Sequence, residues 1–272
     1  MFHFFSCSVS AKNQFITSLE TILKTGHYPI CDFGDLSCLF FIVVFLFLAL
    51  EFCMSLILGD CRNFTGQLEY DYIFSSPPDF DEIGFDPNDR GQYQTFIKEC
   101  FNGAFEKKVP ITFALTDRKY KSGVISKSNL LMNVMRLYGY TLASHKIWAK
   151  AIDTEWMMRL TYSNVMTFAP ANKKGNPVSS FKVNRDYKPF RPDVWSIARD
   201  AYKGYGYAIP VELVKRCLMA HLRSGQRVYD PFMGSGTTAV AAIQCGFDFV
   251  GTEIDETTFQ LSQQRLKDLK TS

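Results

Sequence analysis

The chain's absences narrow its identity first. Its eight cysteines form no CxxC pair, and neither they nor the four histidines fall at zinc-ligand spacing. That excludes the common structural zinc modules, and no metal is expected. The thiols are scattered along the chain, as in free cysteines of a reducing compartment rather than in a disulfide scaffold. Neither sign of charge dominates: 30 Lys and Arg face 27 Asp and Glu, a formal net charge of +3. No chain-wide field therefore announces a polyanionic partner. No lysine follows the glycine-rich stretch near the C-terminus, which rules out a phosphate-cradling P-loop.

What is present is uneven. The 272 residues suffice for one large α/β domain or two small ones. Residues 36–50, LSCLFFIVVFLFLAL, form an apolar run that reaches Leu58 if Glu51 is tolerated, long enough to consider as a membrane helix. It starts too deep in the chain for a signal peptide and lacks a basic n-region before it. Its flanking charges give no orientation signal. The next stretch, Met54 to Cys61, reads as a short buried strand with Asp60 at its tip. Residues 1–53 are thus read as an extra segment outside the working fold, either a mis-start before Met54 or a membrane anchor. Membrane association through residues 36–58 is unfavoured but left open.

The stretch RVYDPFMGSGTTAV, residues 227–240, carries the first chemistry. A strand ends at Asp230, Gly234-Ser235-Gly236 makes a tight turn, and a helix runs from Thr237 to a stop at Gly246. A second strand follows and ends at Glu253, 19 residues after Gly234. This is the nucleotide-binding half of a doubly wound fold, with an acidic residue placed for ribose hydroxyls. Asp230 at the strand tip would repel a pyrophosphate. It suits a cofactor with an ammonium and a sulfonium, S-adenosylmethionine.

A second motif lies far upstream. SSPPDF, residues 75–80, ends the strand-like run Tyr70 to Phe74. Together with DPFMGSGTT it resembles the DNA amino-methyltransferases, which methylate the exocyclic amine of cytosine or adenine. The order of parts, Ser-Pro-Pro first and cofactor loop last, resembles the circularly permuted β-group. LILGDC (56–61), FALTDRKYKSG (113–123), GYTLASHKIWAK (139–150), RPDVWSI (191–197) and IPVELVKRCL (209–218) extend the likeness over residues 54–272.

The resemblance implies one α/β methyltransferase domain at 54–272, with a mostly parallel, seven-stranded, doubly wound Rossmann-like sheet. It implies that Asp60, Asp230, Phe232, Gly234, Ser235, Gly236, Thr237, Thr238 and Glu253 surround S-adenosylmethionine. Ser76, Pro77, Pro78, Asp79 and Phe80 then face its methyl group. The exocyclic amine is a poor nucleophile, because its lone pair is delocalised into the ring. Acceptors at Ser76 and the Pro77 carbonyl hold its hydrogens and favour a tetrahedral nitrogen, and proline stiffens the turn. The base must be flipped from the duplex to reach them. Asp79 departs from the pattern, which has a stacking aromatic there; Phe80 and Phe85 are the rings nearby. Without a Pro-Cys pair, C5 methylation is excluded. Ser-Pro-Pro leans toward cytosine N4 over adenine N6.

From Lys146 to Lys203 the chain holds eleven basic and five acidic residues. This block includes a target-recognition region at about 151–192, with Arg159, Lys173, Lys174, Lys182, Arg185 and Lys188 as DNA contacts. ANKKGNP (171–177) reads as a flexible loop that enters a groove. Double-stranded DNA is the expected partner, with a cognate restriction endonuclease as a second one. The oligomeric state stays open, a homodimer included. The expected location is the cytoplasm or another compartment, viral or host, that holds DNA. An RNA substrate and a DNA-binding pseudoenzyme disabled by Asp79 are the competing readings.

Overall fold

The computed structural model describes residues 54–120, 123–150, 160–200, 202 and 209–271. Met54–Ser272 forms a unit of its own. The apolar run at 36–58 lies outside the described residues up to Cys53. Among the described residues no helix is long and apolar enough to cross a membrane.

An eight-stranded sheet organises the domain. Its strands in chain order are β1 (Met54–Leu58), β2 (Tyr72–Ser75), β3 (Ile111–Leu115), β6 (Tyr140–Ala149), β7 (Tyr162–Pro170), β8 (Val194–Ser196), β9 (Arg227–Asp230) and β10 (Asp248–Glu253). A separate hairpin pairs β4 (Arg118–Tyr120) with β5 (Gly123–Ile125). The sheet order is β1-β10-β9-β2-β3-β7-β6-β8. Only β7 runs antiparallel to its neighbours, β3 and β6. One expectation is corrected here: the sheet has eight strands rather than seven. The eighth is the VWS of the RPDVWSI segment, which adds to Ile147–Ala149 in parallel.

Alternation along the strands explains the layers. Successive side chains point to opposite faces, so Ile73 joins one core while Tyr72 and Phe74 join the other. The first face is covered by α1 (Arg90–Lys107) and α2 (Lys127–Leu137), the second by α3 (Val211–His221), α4 (Thr237–Cys245) and α5 (Glu256–Thr271). Helices on both faces of a mostly parallel sheet bury strands on both sides, which is why β2 and β3 are buried at every position and mostly apolar.

The register also fixes the molecule's two ends. Ser75, Leu115, Ala149, Asp230 and Glu253 all end parallel strands at one edge. β7 runs the other way: Tyr162 pairs with Ala149, and Pro170 pairs with Tyr140. Whatever follows Pro170 therefore leaves from the amino edge. Nine residues of β7, at about 3.4 Å each, separate the two edges by roughly 30 Å.

Candidate active site

A cleft of about 840 Å³ opens at the carboxyl edge. It brings together Ser76, Pro77 and Asp79 from one motif with Asp230, Phe232, Gly234, Ser235, Thr237 and Thr238 from the other. Some 150 residues separate the motifs, and the parallel pairing of β2 with β9 joins them. A crevice at the carboxyl ends of parallel strands is where doubly wound folds bind ligands.

The glycine turn is held from two sides. Gly236 caps α4 with φ 80°, and Gly234 has φ 51°, a region that favours glycine. On the β10 side, Glu253 Oε2 accepts from the Gly234 N–H at 2.9 Å, and the Met233 N–H donates to the Thr252 carbonyl at 3.0 Å. On the α5 side, buried Arg265 donates to Thr237 Oγ1 at 2.9 Å and to the Ser235 carbonyl at 3.3 Å. Its guanidinium also lies 4.9 Å from the Tyr202 ring centre. Asp230 is buried; its carboxylate accepts from Thr238 Oγ1 at 2.5 Å and from the Phe232 N–H at 3.1 Å. Burial pushes its pKa up to about 7 against these hydrogen bonds, with the Glu253 charge adding to the rise.

The Ser-Pro-Pro turn divides its groups between cleft and core. Ser76 and Pro77 line the cleft. The Pro78 carbonyl is occupied by the Tyr93 hydroxyl at 3.1 Å. Phe80 does not face the cleft: it is fully buried, 4.5 Å from the Tyr93 ring. Phe85 packs edge-on against Phe96. Neither ring lies in the cleft lining. In the turn after Asp79 the Phe85 N–H donates back to the Phe80 carbonyl at 2.8 Å.

Asp60 lies two residues past the end of β1, with the neighbouring Gly59 N–H donating to the Glu253 carbonyl at 2.8 Å. It is absent from the cleft lining, because Arg62 grips its carboxylate at 2.6 and 3.0 Å. That guanidinium lowers the Asp60 pKa. Glu253 also stands behind the turn rather than in the cleft wall, with its second oxygen accepting from the Asp255 N–H at 2.9 Å. Each carboxylate oxygen keeps a further lone pair.

Most described residues of the basic block lie away from the cleft. Lys173 and Lys174 lie just past Pro170, at the amino edge. Their loop is an ordered turn rather than an open one: Ala171 bridges Pro177, and Asn172 Oδ1 accepts from the Lys174 and Asn176 N–H groups. Arg185 follows Asn184, whose N–H donates to the Ala220 carbonyl near the end of α3. Lys182 lines a small groove with Pro110 and Pro170, at that same edge. Lys188 opens a short 3₁₀ turn and also lies outside the cleft lining. Antiparallel β7 carries Lys173, Lys174, Lys182 and Arg185 away from the cleft. Arg159 and Trp156 lie outside the described residues.

Several residues in and around the cleft were not picked out as site residues from the sequence. Lys127, at the first position of α2, is buried and forms an ion pair with Asp79; Arg118 approaches the same carboxylate at 3.6 Å. Lys150 bonds Thr116 Oγ1 at 2.8 Å and lies 5.2 Å from the Trp148 ring centre. Burial lowers both lysines to about 8; Lys150 adds to the effect on Lys127, and Arg199 to that on Lys150. Trp148 and Lys150 share a strand face by period two, a pattern readable in KIWAK. Lys127 and Arg265 had none. Among the described residues no acidic, cysteine or histidine cluster could hold a metal.

Comparison with known proteins gives one family. The N6_N4_Mtase family model, described as DNA methylase, matches residues 56–264. The type II methyltransferase M.SmaI of Serratia marcescens is 36% identical over 91 residues, 33% of this chain and only 30% of M.SmaI's length. M2.DpnII of Streptococcus pneumoniae, also a type II methyltransferase, is 23% identical over 241 residues, 79% of this chain and 90% of that protein. A Thermus thermophilus protein described as a DNA modification methylase, solved with S-adenosyl-L-methionine, shares the fold. Its TM-score is 0.62 at 19% identity, over 79% of this chain and 93% of that one.

Proposed function

Because the chain belongs to the DNA methylase family of N6 and N4 amino-methyltransferases, we propose that it methylates the exocyclic amine of a flipped DNA base, with cytosine N4 favoured and S-adenosylmethionine as donor. The observation that carries this reading is the shared cleft, in which Ser76 and Pro77 face the Asp230–Thr238 turn. The residues present fit the donor. A buried carboxylate suits its ammonium, the open turn admits its backbone, and Glu253 stands behind the turn for ribose hydroxyls. When bound, it supplies an electrophilic methyl on a sulfonium.

The protein's own work is to hold the amine. Ser76 Oγ and the Pro77 carbonyl accept its two hydrogens, which localises the nitrogen lone pair and aims it at the methyl. Such acceptors matter most in the transition state, where the nitrogen turns tetrahedral. The preference for cytosine follows the Ser-Pro-Pro form of the motif. The basic groups at the carboxyl edge, Arg118, Lys150 and Arg199, suit a phosphate-bearing partner there. A cognate restriction endonuclease fits the type II setting of the relatives, and a location with DNA follows from the substrate.

The test is transfer of a labelled methyl group to duplex DNA and to RNA of mixed sequence. Label is expected in DNA, with Ser76→Ala slowing transfer about 10²-fold at unchanged cofactor affinity. Label in RNA alone would replace the substrate. Cofactor binding with no transfer to either would leave a DNA-binding protein that has lost turnover.

A further inference from the structure

Asp79 enters the cleft directly after Ser76 and Pro77, and its setting is built from several elements. Its own N–H donates to Glu82 Oε2 at 2.7 Å, which fixes the backbone. One carboxylate oxygen meets the Lys127 ammonium; the other faces Arg118. Arg118 is itself anchored on Asp81 at 2.5 Å. Lys127 cannot drift, because the start of α2 is pinned. The Ser126 hydroxyl caps Asn129 N–H at 3.3 Å, and Asp117 accepts from the Ser128 N–H at 3.0 Å. A lysine side chain only 3% exposed is costly to bury unless paired, and its partner is a carboxylate that opens on the cleft.

We propose that Asp79 is a third acceptor for the amine and takes its proton, and that Lys127 is the positioning residue that keeps this carboxylate ionised and aimed. The inference rests on the amino-methyltransferase reading above. The step balances. The nitrogen lone pair forms the bond to the methyl carbon, and the carbon–sulfur bond breaks with its pair left on sulfur. The nitrogen, now positive, passes one proton to an Asp79 oxygen and keeps the pair of that N–H bond. Asp79 then releases the proton to water through the open cleft. Ser76 and Pro77 orient the amine, and neither is an anion. Asp79 supplies the negative charge opposite the positive charge that develops on nitrogen.

The charged groups around Asp79 set the sign of its pH dependence. Lys127 approaches from α2 and Arg118 from β4, with Asp81 and Glu82 on its own turn. Asp117 sits at the start of α2 beside Lys127, and Lys150, Arg199 and Asp230 also line the cleft. Removing a cation beside a carboxylate raises its pKa. Loss of Lys127 therefore moves the acid limb of the rate profile to higher pH.

The experiment is single-turnover methylation of duplex DNA by the full chain across pH 5 to 9, roughly the range in which such limbs appear. It uses the wild type, Asp79→Asn, Lys127→Met and Lys127→Arg, with S-adenosylmethionine affinity measured alongside by calorimetry. Asp79→Asn should lower the rate constant about 10²-fold and flatten the acid limb, with cofactor affinity near wild type. Lys127→Met should move the acid limb up by about one pH unit, and Lys127→Arg should restore it. If Lys127→Met does not fold, Arg118→Gln should move the limb in the same direction. A wild-type rate in Asp79→Asn, or an acid limb unmoved by loss of Lys127, overturns the proposal. A wild type that binds cofactor yet transfers nothing overturns the reading beneath it, and the proposal with it.

Discussion

At the scale of single residues, Asp230 joins a sequence expectation to a measurable pH effect. Its place at the strand tip was legible from Asp-Pro-Phe before the glycines; its burial was not. Burial raises its pKa from 3.8 to about 7, so below that pH the empty site holds a neutral acid. A cationic donor requires the carboxylate. Affinity for S-adenosylmethionine should then fall as pH drops below about 7, approaching tenfold per unit, and calorimetry of Asp230→Asn should show weak binding with a flat profile. The same shift carries a stability sign. Between about 4 and 7 the folded state holds more protons here than the unfolded chain does, so this group's contribution declines as pH rises through that window. Thermal melts of wild type against Asp230→Asn should diverge there. The place of Ser76 and Pro77 at the cleft was equally readable, because the Ser-Pro-Pro motif marks the end of a strand. Lys127 and Arg265 were not, because each acts by reaching a site from a distant helix. That Phe80 is buried against Tyr93 was not legible, because residue type alone does not say which way a turn residue points.

Among the elements, helix α1 and strand β7 show what periodicity conveys and what it leaves out. Strand and helix patterns located β9, α4 and β10 to within a residue or so. They said nothing of how closely elements approach. Gly103 in α1 lies against Gly66, where an added Cβ would come within 2.3 Å of the Gly66 Cα. The contacting atoms are backbone, so Gly103→Ala should cost about 3 kcal/mol in chemical denaturation. The direction of β7 was equally hidden, and it moves the lysines of ANKKGNP to the far edge. Lys173→Ala with Lys174→Ala should therefore leave DNA affinity and its salt slope unchanged. Arg199→Ala, at the cleft, should weaken binding and flatten the slope of log affinity against log salt by about one. Filter binding across a salt series checks both.

For the whole molecule, the doubly wound architecture was legible because two motifs fixed it: a strand–glycine–helix unit and a strand ending in Ser-Pro-Pro. Their adjacency was not legible, since only the sheet order sets β2 beside β9. The eighth strand escaped notice because three residues at a sheet edge leave almost no periodic signal. Every described residue of the site lies within residues 54–272, so that stretch expressed alone should fold cooperatively and match the full chain in methyl transfer. The most direct measurement is nucleoside mass spectrometry of mixed-sequence duplex DNA after incubation with the full chain and isotopically labelled S-adenosylmethionine. The account predicts labelled N4-methylcytosine. Labelled N6-methyladenine would overturn the choice of base, and DNA without any labelled nucleoside would contradict the central claim that this cleft methylates a DNA amine.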